Sequence, residues 1–359
     1  MGTTYEATLV AVTPASSGPP TFTELCGLNW DRFTTLDELG APGTTTVQVP
    51  VDKLEDVGKA RLRDLTVAPC EMWVRKTVAG ALTTTTSIIA AGPVTACHIT
   101  GRELVMTAPG LLNYLNYWLR DTDYTASGAD QATIVQQLCD TWQALSYGHK
   151  GIVTTGLTAT GVTRDLTLSG RDGKFIMPVI QEMGGRTNGF DLTVNPSTRA
   201  LTMWSPRRGT DLTNSVFIDQ RSIGMPELSW TVAPGTIGSE VFASSNSTTG
   251  ATLTSIQSNT GLRATFGRSY VTRSYNDISV QATLDDHAAR TLVNVGSQLF
   301  TLAPTLLPVA GFAHGDFNTG DQITYDFDAG LGRQTFTVRV ASIELSLDSG
   351  RESLKVGML

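Results

Sequence analysis

"FNTGDQITYDFDAGLGRQTFTVRVASIELSLDSGRESLKVGML", residues 317–359, carries the clearest strand pattern in the chain. Side chains on a strand point to opposite faces at every second residue. Ile323, Tyr325 and Phe327 therefore share one face, and Phe336, Val338 and Val340 form a second apolar row. The next row, Ile343, Leu345 and Leu347, has the opposite parity, so one extra residue has to intervene. A β-bulge near Ala341 and Ser342 keeps both rows on one core and bends the strand, as a small sheet does when it curls toward a barrel. Leu354, Val356 and Met358 add a last row, while Gly320-Asp321, Gly330-Leu331-Gly332 and Asp348-Ser349-Gly350 supply the turns. The expectation is a chain that finishes inside a barrel-like sheet, with no tail left for a separate catalytic module.

The composition of the 359 residues agrees with a β-rich protein. Hydrophobic residues make up 40%, and short alternating runs rich in Thr, Val and Gly recur. That length allows two or three domains with ample core. The net charge of −7 argues against tight binding of nucleic acid, which attracts clustered Lys and Arg. Arg207-Arg208 reads as a solvated loop pair. No run of about twenty apolar residues offers a membrane span. The start "MGTTYEATLVAVTP" has no signal-peptide pattern, and Glu6 stands where a myristoylation signal needs Ser or Thr, so synthesis and folding in the cytoplasm are expected. Cys26, Cys70, Cys97 and Cys139 are too far apart for a zinc site and read as buried free thiols.

Along the chain, "YEATLVAV", "TTTVQVPV", "CEMWVRKTV" and "TTTSIIAAGPVTACHITGREL" read as strands. In the third of these both faces carry bulk, so it is covered on both sides or lies at an interface. "KLEDVGKARLRDL", interrupted by Gly58, allows one or two helical turns. Residues 111–205 change character. Ile134, Leu138, Trp142 and Leu145 recur at helical spacing, with Ser127 and Asp130 as a capping box and Gly148 as the close. Val179, Ile180 and Met183 mark a second helix starting at Pro178 and stopping at Gly184-Gly185. A hairpin turning at Asn195-Pro196-Ser197 follows. Beyond residue 215, "ELSWTVAPG", "SEVFASSN", "GLRATFGRSYV" and "DISVQATL" read as strands, and "SNSTTGATLTSIQSNTG" as an exposed excursion. A last helix, about 285–300, has Ala288, Leu292, Val295 and Leu299 as its stripe, Thr283 with Asp286 as capping box and Pro304 as stop. It is expected to pack under the C-terminal sheet.

The fold class is thus mainly β with an α+β insertion. The parts are an N-terminal β-barrel at 1–110, which residues near 205–235 can complete, an insertion at 111–205, and a C-terminal barrel at 236–359.

Candidate chemistry is sparse. "GRDGKF" at 170–175 ends like a phosphate loop, but Phe175 replaces the Ser or Thr that holds magnesium and Leu168 replaces the upstream Gly. His287 beside Asp286 reads as helix capping. His314, Asp316, Asn318 and Asp321 could offer oxygen ligands to calcium, yet the order and closing Glu of an EF-hand are absent, so a polar hairpin loop is expected. Asp121 with Asp123, and Asp326 with Asp328, have a glycosidase-like pairing that loop solvation explains. Asn246-Ser247-Thr248 matches a glycosylation acceptor, of meaning only in a glycosylating secretory pathway. Trp30, Trp73, Trp118, Trp142, Trp204 and Trp230 are scattered rather than gathered into a platform. No catalytic, cofactor or metal residues are assigned.

"EMWVRKT" followed by "VTACHITGREL", the helix "ATIVQQLCDTW", "GRDGKFIMPVIQEMGG" leading into "GFDLTVN", and the final "NTGDQITYDF" to "GRESLKVGM" together resemble minor tail proteins of tailed bacteriophages. The likeness is to the baseplate-hub type, especially in siphoviruses of actinobacteria, and it is spread over nearly the whole chain. It implies two hub-type β-barrels plus a smaller α/β domain, and a homotrimeric ring joining the tail tube to the tip. Implied partners are the tail tube or distal tail protein, tip or fibre proteins and the tape measure protein, with DNA only as passing cargo, no membrane insertion and a virion location. An acidic lumen would let DNA slide without sticking. The longer hubs of this type carry attached lysin or fibre modules, and this chain is expected to stop at the barrel. The competing class is a tail-associated cell-wall hydrolase or a receptor- or glycan-binding tail protein.

Overall fold

A computed structural model describes residues 2–54, 56, 59–60, 69–80, 83–120, 122–219, 228–232, 238–246, 252–276, 278, 280–297, 300–306, 314–327, 333–348 and 351–358. The first run of strands is β1 (Gly2–Thr13), β2 (Thr21–Leu28), β3 (Arg32–Glu38), β4 (Thr44–Pro50), β5 (Cys70–Ala79), β6 (Thr84–Pro93), β7 (Ala96–Thr100) and β8 (Glu103–Pro109). Next come β9 (Leu119–Arg120), β10 (Tyr124–Asp130), α1 (Gln131–Gln143), β11 (Thr163–Leu168), β12 (Lys174–Phe175), α2 (Ile176–Gly184), β13 (Asp191–Val194) and β14 (Leu201–Trp204). Then follow β15 (Phe217–Asp219), β16 (Leu228–Val232), β17 (Glu240–Asn246), β18 (Thr252–Ser258), α3 (Thr260–Phe266), β19 (Tyr270–Asn276) and α4 (Gln281–Ser297). The chain closes with β20 (Phe300–Leu306), β21 (Gln322–Phe327), β22 (Gln334–Asp348) and β23 (Arg351–Met358).

The closing strands do what their parity requires. The register of β22 against β23 shifts between Val340 and Ser342, the position of the expected bulge. Because of that extra residue, Val338 and Val340 before it and Ile343, Leu345 and Leu347 after it are all buried in one core. Ile323, Tyr325, Leu354, Val356 and Met358 join them. The turns at 328–332 and 349–350 lie outside the described residues, as does the side chain of Phe327.

This sheet recruits both ends of the chain. Its order is β16-β20-β23-β22-β3-β4-β8-β7, with β21 also on β22 and β15 on β21, ten strands in all. A four-stranded antiparallel sheet, β2-β1-β5-β6, packs on it. Leu9, Met72 and Val74 from the smaller sheet meet Phe33, Val47, Met106 and Leu345 from the larger. Each such buried side chain contributes about 1.5–3 kcal/mol of transfer free energy. Among the described residues every sheet stays open, so neither expected barrel is closed within the single chain.

A second core gathers α1, α2, the turn Leu111–Asn116 and the hairpin β13–β14 around Trp118, Leu138, Ile180 and Leu201. Ile134 and Leu138 are fully buried, and Trp142 packs edge-on to Trp118 at 6.3 Å between centroids. Leu145 lies past the helix and is exposed. The cap is Asp130 alone: its carboxylate accepts the Ala132 amide at 2.8 Å. Ser127 instead sits in β10, at an irregularity where Gly128 adopts a positive φ. Helix α2 starts at Ile176, two residues before Pro178. The proline is tolerated there because the first four amides of a helix have no partner within it.

The third core corrects several expectations. Helix α4 begins at Gln281, so Thr283 and Asp286 lie inside it, and Phe300 and Pro304 belong to β20. Leu284, Ala288 and Val295 pack with Val241 and Ala243 of the three-stranded sheet β18-β17-β19, not under the C-terminal sheet. Leu299 lies outside the described residues. Residues 252–258, read as an excursion, form β18, whose main chain pairs with β17 from Glu240↔Ser258 to Asn246↔Thr252. Residues 260–266 form α3 rather than strand, capped by the Asn259 side chain on the Leu262 amide.

Candidate functional site

Several of the residues singled out for chemistry hold structural contacts. In the 313–321 stretch Asp321 is buried: Oδ1 accepts the Thr210 amide at 2.7 Å and Oδ2 accepts the Asn318 amide at 2.7 Å. The carboxylate thereby fixes the Gly-Asp turn against the chain at 208–212. At this point two glycines meet, because a Cβ on Gly209 would lie 2.0 Å from the Gly320 carbonyl oxygen, and both have positive φ. Burial and the nearby Lys76 ammonium push the His314 imidazole below its ordinary value, and the Lys76 ammonium donates to the His314 carbonyl at 2.6 Å. Asp316 is exposed. Among the described residues no three His, Cys, Asp or Glu side chains converge as metal ligands would.

Asp326 is buried and pairs with the Arg333 guanidinium; Asp328 lies outside the described residues. Asp123 accepts the Gly170 amide at 2.9 Å, and Asp121 lies outside. "GRDGKF" forms a short turn with Gly173 left-handed, and Lys174-Phe175 pairs with Leu119-Arg120. Asn246 ends β17, and residues 247–250 lie outside the described residues. Cys26, Cys70 and Cys139 are buried and form no disulfide, but Cys97 is exposed on β7. Trp118 is fully buried, whereas Trp204 is exposed. Arg207 is exposed, while Arg208 reaches Asp37 at 3.5 Å.

Two polar junctions that were not foreseen hold the three cores together. Glu71, on β5, is fully buried and accepts four hydrogen bonds. Two come from Arg199, one from the Tyr114 hydroxyl at 2.7 Å and one from the Trp73 indole at 2.8 Å. The guanidinium also lies over the Phe22 ring at 4.4 Å and donates to the Lys150 carbonyl. Burial and the Glu71 carboxylate push the Tyr114 hydroxyl up. The junction ties both β sheets' side of the molecule to the α-helical core. The one available signal was Glu71 itself, an acid between Cys70 and Met72 in a strand with bulk on both faces.

The second junction joins α4 to α2. His287 is buried, 3.6 Å from Glu182 and 4.8 Å from the Tyr275 ring, and Asp286 accepts the Thr187 amide at 3.2 Å. Thus His287 and Asp286 bridge cores instead of capping a helix. The His287 imidazole and then the Arg186 guanidinium hold the Glu182 carboxyl down to about 2. Clefts follow these seams. One of about 510 Å³ lies between α4 and Arg164 and Arg186, and one of about 370 Å³ lies between the large sheet and the β13–β14 hairpin. Asp37 and His314 line the second, and Asp37 accepts the Thr319 hydroxyl at 2.7 Å. What the residues build at both seams is a polar contact between packed elements, Glu71 with Arg199 at one and Glu182 with His287 at the other. No helix among the described residues is long and apolar enough to cross a membrane.

No protein-family model and no curated protein matches the chain. Solved structures share its fold. The 43 kDa tail protein of prophage MuSo2 from Shewanella oneidensis aligns with a TM-score of 0.63 at 10% identity, over 99% of this chain and 98% of that one. The tail protein from Neisseria meningitidis MC58 aligns at 0.61 and 13% identity, over 99% and 96%. Prophage tail protein gp18 from Listeria monocytogenes EGD-e aligns at 0.54 and 10% identity, over 98% and 94%. The chain therefore has a phage tail-protein fold over nearly its whole length.

Proposed function

We propose that the chain is a structural component of a phage tail tip. In this reading it is a baseplate-hub protein of which three copies form a ring that joins the tail tube to the tip and surrounds the DNA channel. The observation that carries the reading is the near-complete mutual coverage with solved tail proteins, 98% and 96% of their chains. The organisation into parts at 1–110, 111–205 and 236–359 belongs to the same reading, with the first and last parts contributing strands to one sheet. The two hub barrels would be completed where those open sheets meet their neighbours in the ring. Partners are other tail proteins at either end of the ring, the location is the virion, and DNA passes as cargo. A net charge of −7 suits a wall that does not hold DNA phosphates.

The work proposed is mechanical. Of the acids weighed as candidates, Asp321 accepts two main-chain amides and Asp326 pairs with the Arg333 guanidinium. The test is location: an affinity tag on this chain, decorated with gold on intact particles, should mark the end of the tail distal to the capsid. Label on the capsid or along the tail shaft would contradict the reading.

A further inference from the structure

We infer that β7 is a contact between copies of this chain, in which the main chain of Ala96–Thr100 pairs head to tail with β16 of a second copy. The number of copies rests on the ring reading above; the contact itself rests on the sheet. Strand β7 ends the ten-stranded sheet and bonds β8 in unbroken register from Ala96↔Thr107 to Thr100↔Glu103. Among the described residues no strand lies on its other side, and all five residues are exposed, Ile99 by 65%.

A free strand edge is a row of N–H and C=O groups that will pair with any strand presented to it. Folded proteins blunt such edges with charged side chains, proline or bulges. The edges of the smaller sheet follow that rule. Strand β2 carries Glu24, ion-paired to Arg75, and faces a register shift at Leu9 and Val10; β6 faces one at Val74 and Arg75. Strand β7 has none of these devices: "ACHIT" contains no Pro, Lys, Arg, Asp or Glu, and its pairing has no bulge.

The occupant is suggested by the other end of the same sheet. Strand β16 pairs antiparallel with β20, and among the described residues no strand lies beyond it. Both edge strands are five residues long. Among the described residues each copy thus carries one open edge at each end of one sheet, matched in length. Pairing β7 of one copy with β16 of the next uses each edge once and generates a ring when the rotation closes. Joining β7 to β7 would leave β16 open in every copy.

The native thiols provide the probe. Cys97 lies on β7 and is exposed, whereas Cys26, Cys70 and Cys139 are buried. Maleimide labelling of the full-length folded chain therefore reads this edge, with light scattering giving the mass across a concentration series. The expected result is that Cys97 labels at least about tenfold more slowly in the assembled form than in the monomer. Ile99→Lys should move assembly to about tenfold higher concentration with an unchanged melting curve. An assembled form in which Cys97 reacts as fast as in the monomer overturns the contact and leaves the ring standing. A chain that stays monomeric at every concentration contradicts both. Oxidation that links Cys97 to Cys97 in high yield shows a twofold β7 pair and overturns the head-to-tail arrangement. Protection of Cys97 only on addition of another tail protein assigns the edge to that protein instead. The labelling needs no variant, so it decides the matter even if Ile99→Lys does not fold.

Discussion

Arg199 grips Glu71 through two parallel hydrogen bonds, Nη1 to Oε2 at 2.9 Å and Nη2 to Oε1 at 3.0 Å, although 128 residues separate them in the chain. Arg199 reaches this position from a left-handed backbone, φ 59°, in the loop that the Asn195 side chain organises by accepting the Ser197 and Thr198 amides. Removing the guanidinium strands a carboxylate that has no exposure. Arg199→Met should therefore cost about 3–5 kcal/mol in chemical denaturation, and Glu71→Gln with Arg199→Met together should cost less than the sum of the two. Additive losses would show that the pair does not act as a unit.

Core three should respond separately from core one. Leu284 is fully buried against β17 and β18, and Leu284→Ala should cost about 2–5 kcal/mol. Hydrogen exchange should quicken in residues 240–297 while the amides of β22 keep their protection. Equal loss in β22 would contradict the separation of the cores.

The α2–α4 junction predicts a pH effect with a definite sign. The folded Glu182 carboxyl lies near 2, below the ordinary value of 4.5. Its ionised form is favoured by folding, so its contribution is fully present above about pH 4.5 and is lost as pH falls toward 2. Wild type should melt higher than Glu182→Gln at pH 6, and the gap should close between pH 4.5 and 2. Because Glu182 is half exposed, the gap will be small. A gap that persists at pH 2 would contradict the assignment.

Gly320 tests the turn. A Cβ there would lie 2.5 Å from the Arg208 carbonyl oxygen, and φ is 96°. Gly320→Ala should cost at least about 1–3 kcal/mol by backbone strain alone. A neutral substitution, measured by thermal melting, would show that the 208–212 segment moves freely from β21.

The closing sheet was legible because its signal is local: period-two rows and a change of parity at Ala341-Ser342 need no knowledge of partners. Helix α1 was legible for the same reason, through Ile134 and Leu138. What escaped depends on residues distant in sequence. Nothing near Thr252–Ser258 announces a strand; its main chain is held by β17, and its Ser and Thr side chains resemble loop composition. Thr265 and Phe266 favour strand intrinsically, yet the Asn259 cap and Gly267 close a helix around them. The junction of Glu71 with Arg199 joins two unremarkable positions, and sequence shows only that an acid occupies a strand with bulk on both faces. Recruitment of β3, β4, β7 and β8 into one sheet with β20–β23 likewise leaves no local trace.

The threefold ring proposed for the tail tip is open to a direct test. Electron microscopy of purified tails, with the tip averaged without imposed symmetry, addresses it directly. Three copies of this fold are expected around the tail axis, between the tube and the tip, with the β7 edge of each against the next copy. A closed twofold pair, a single copy, or density for this fold away from the axis would contradict it.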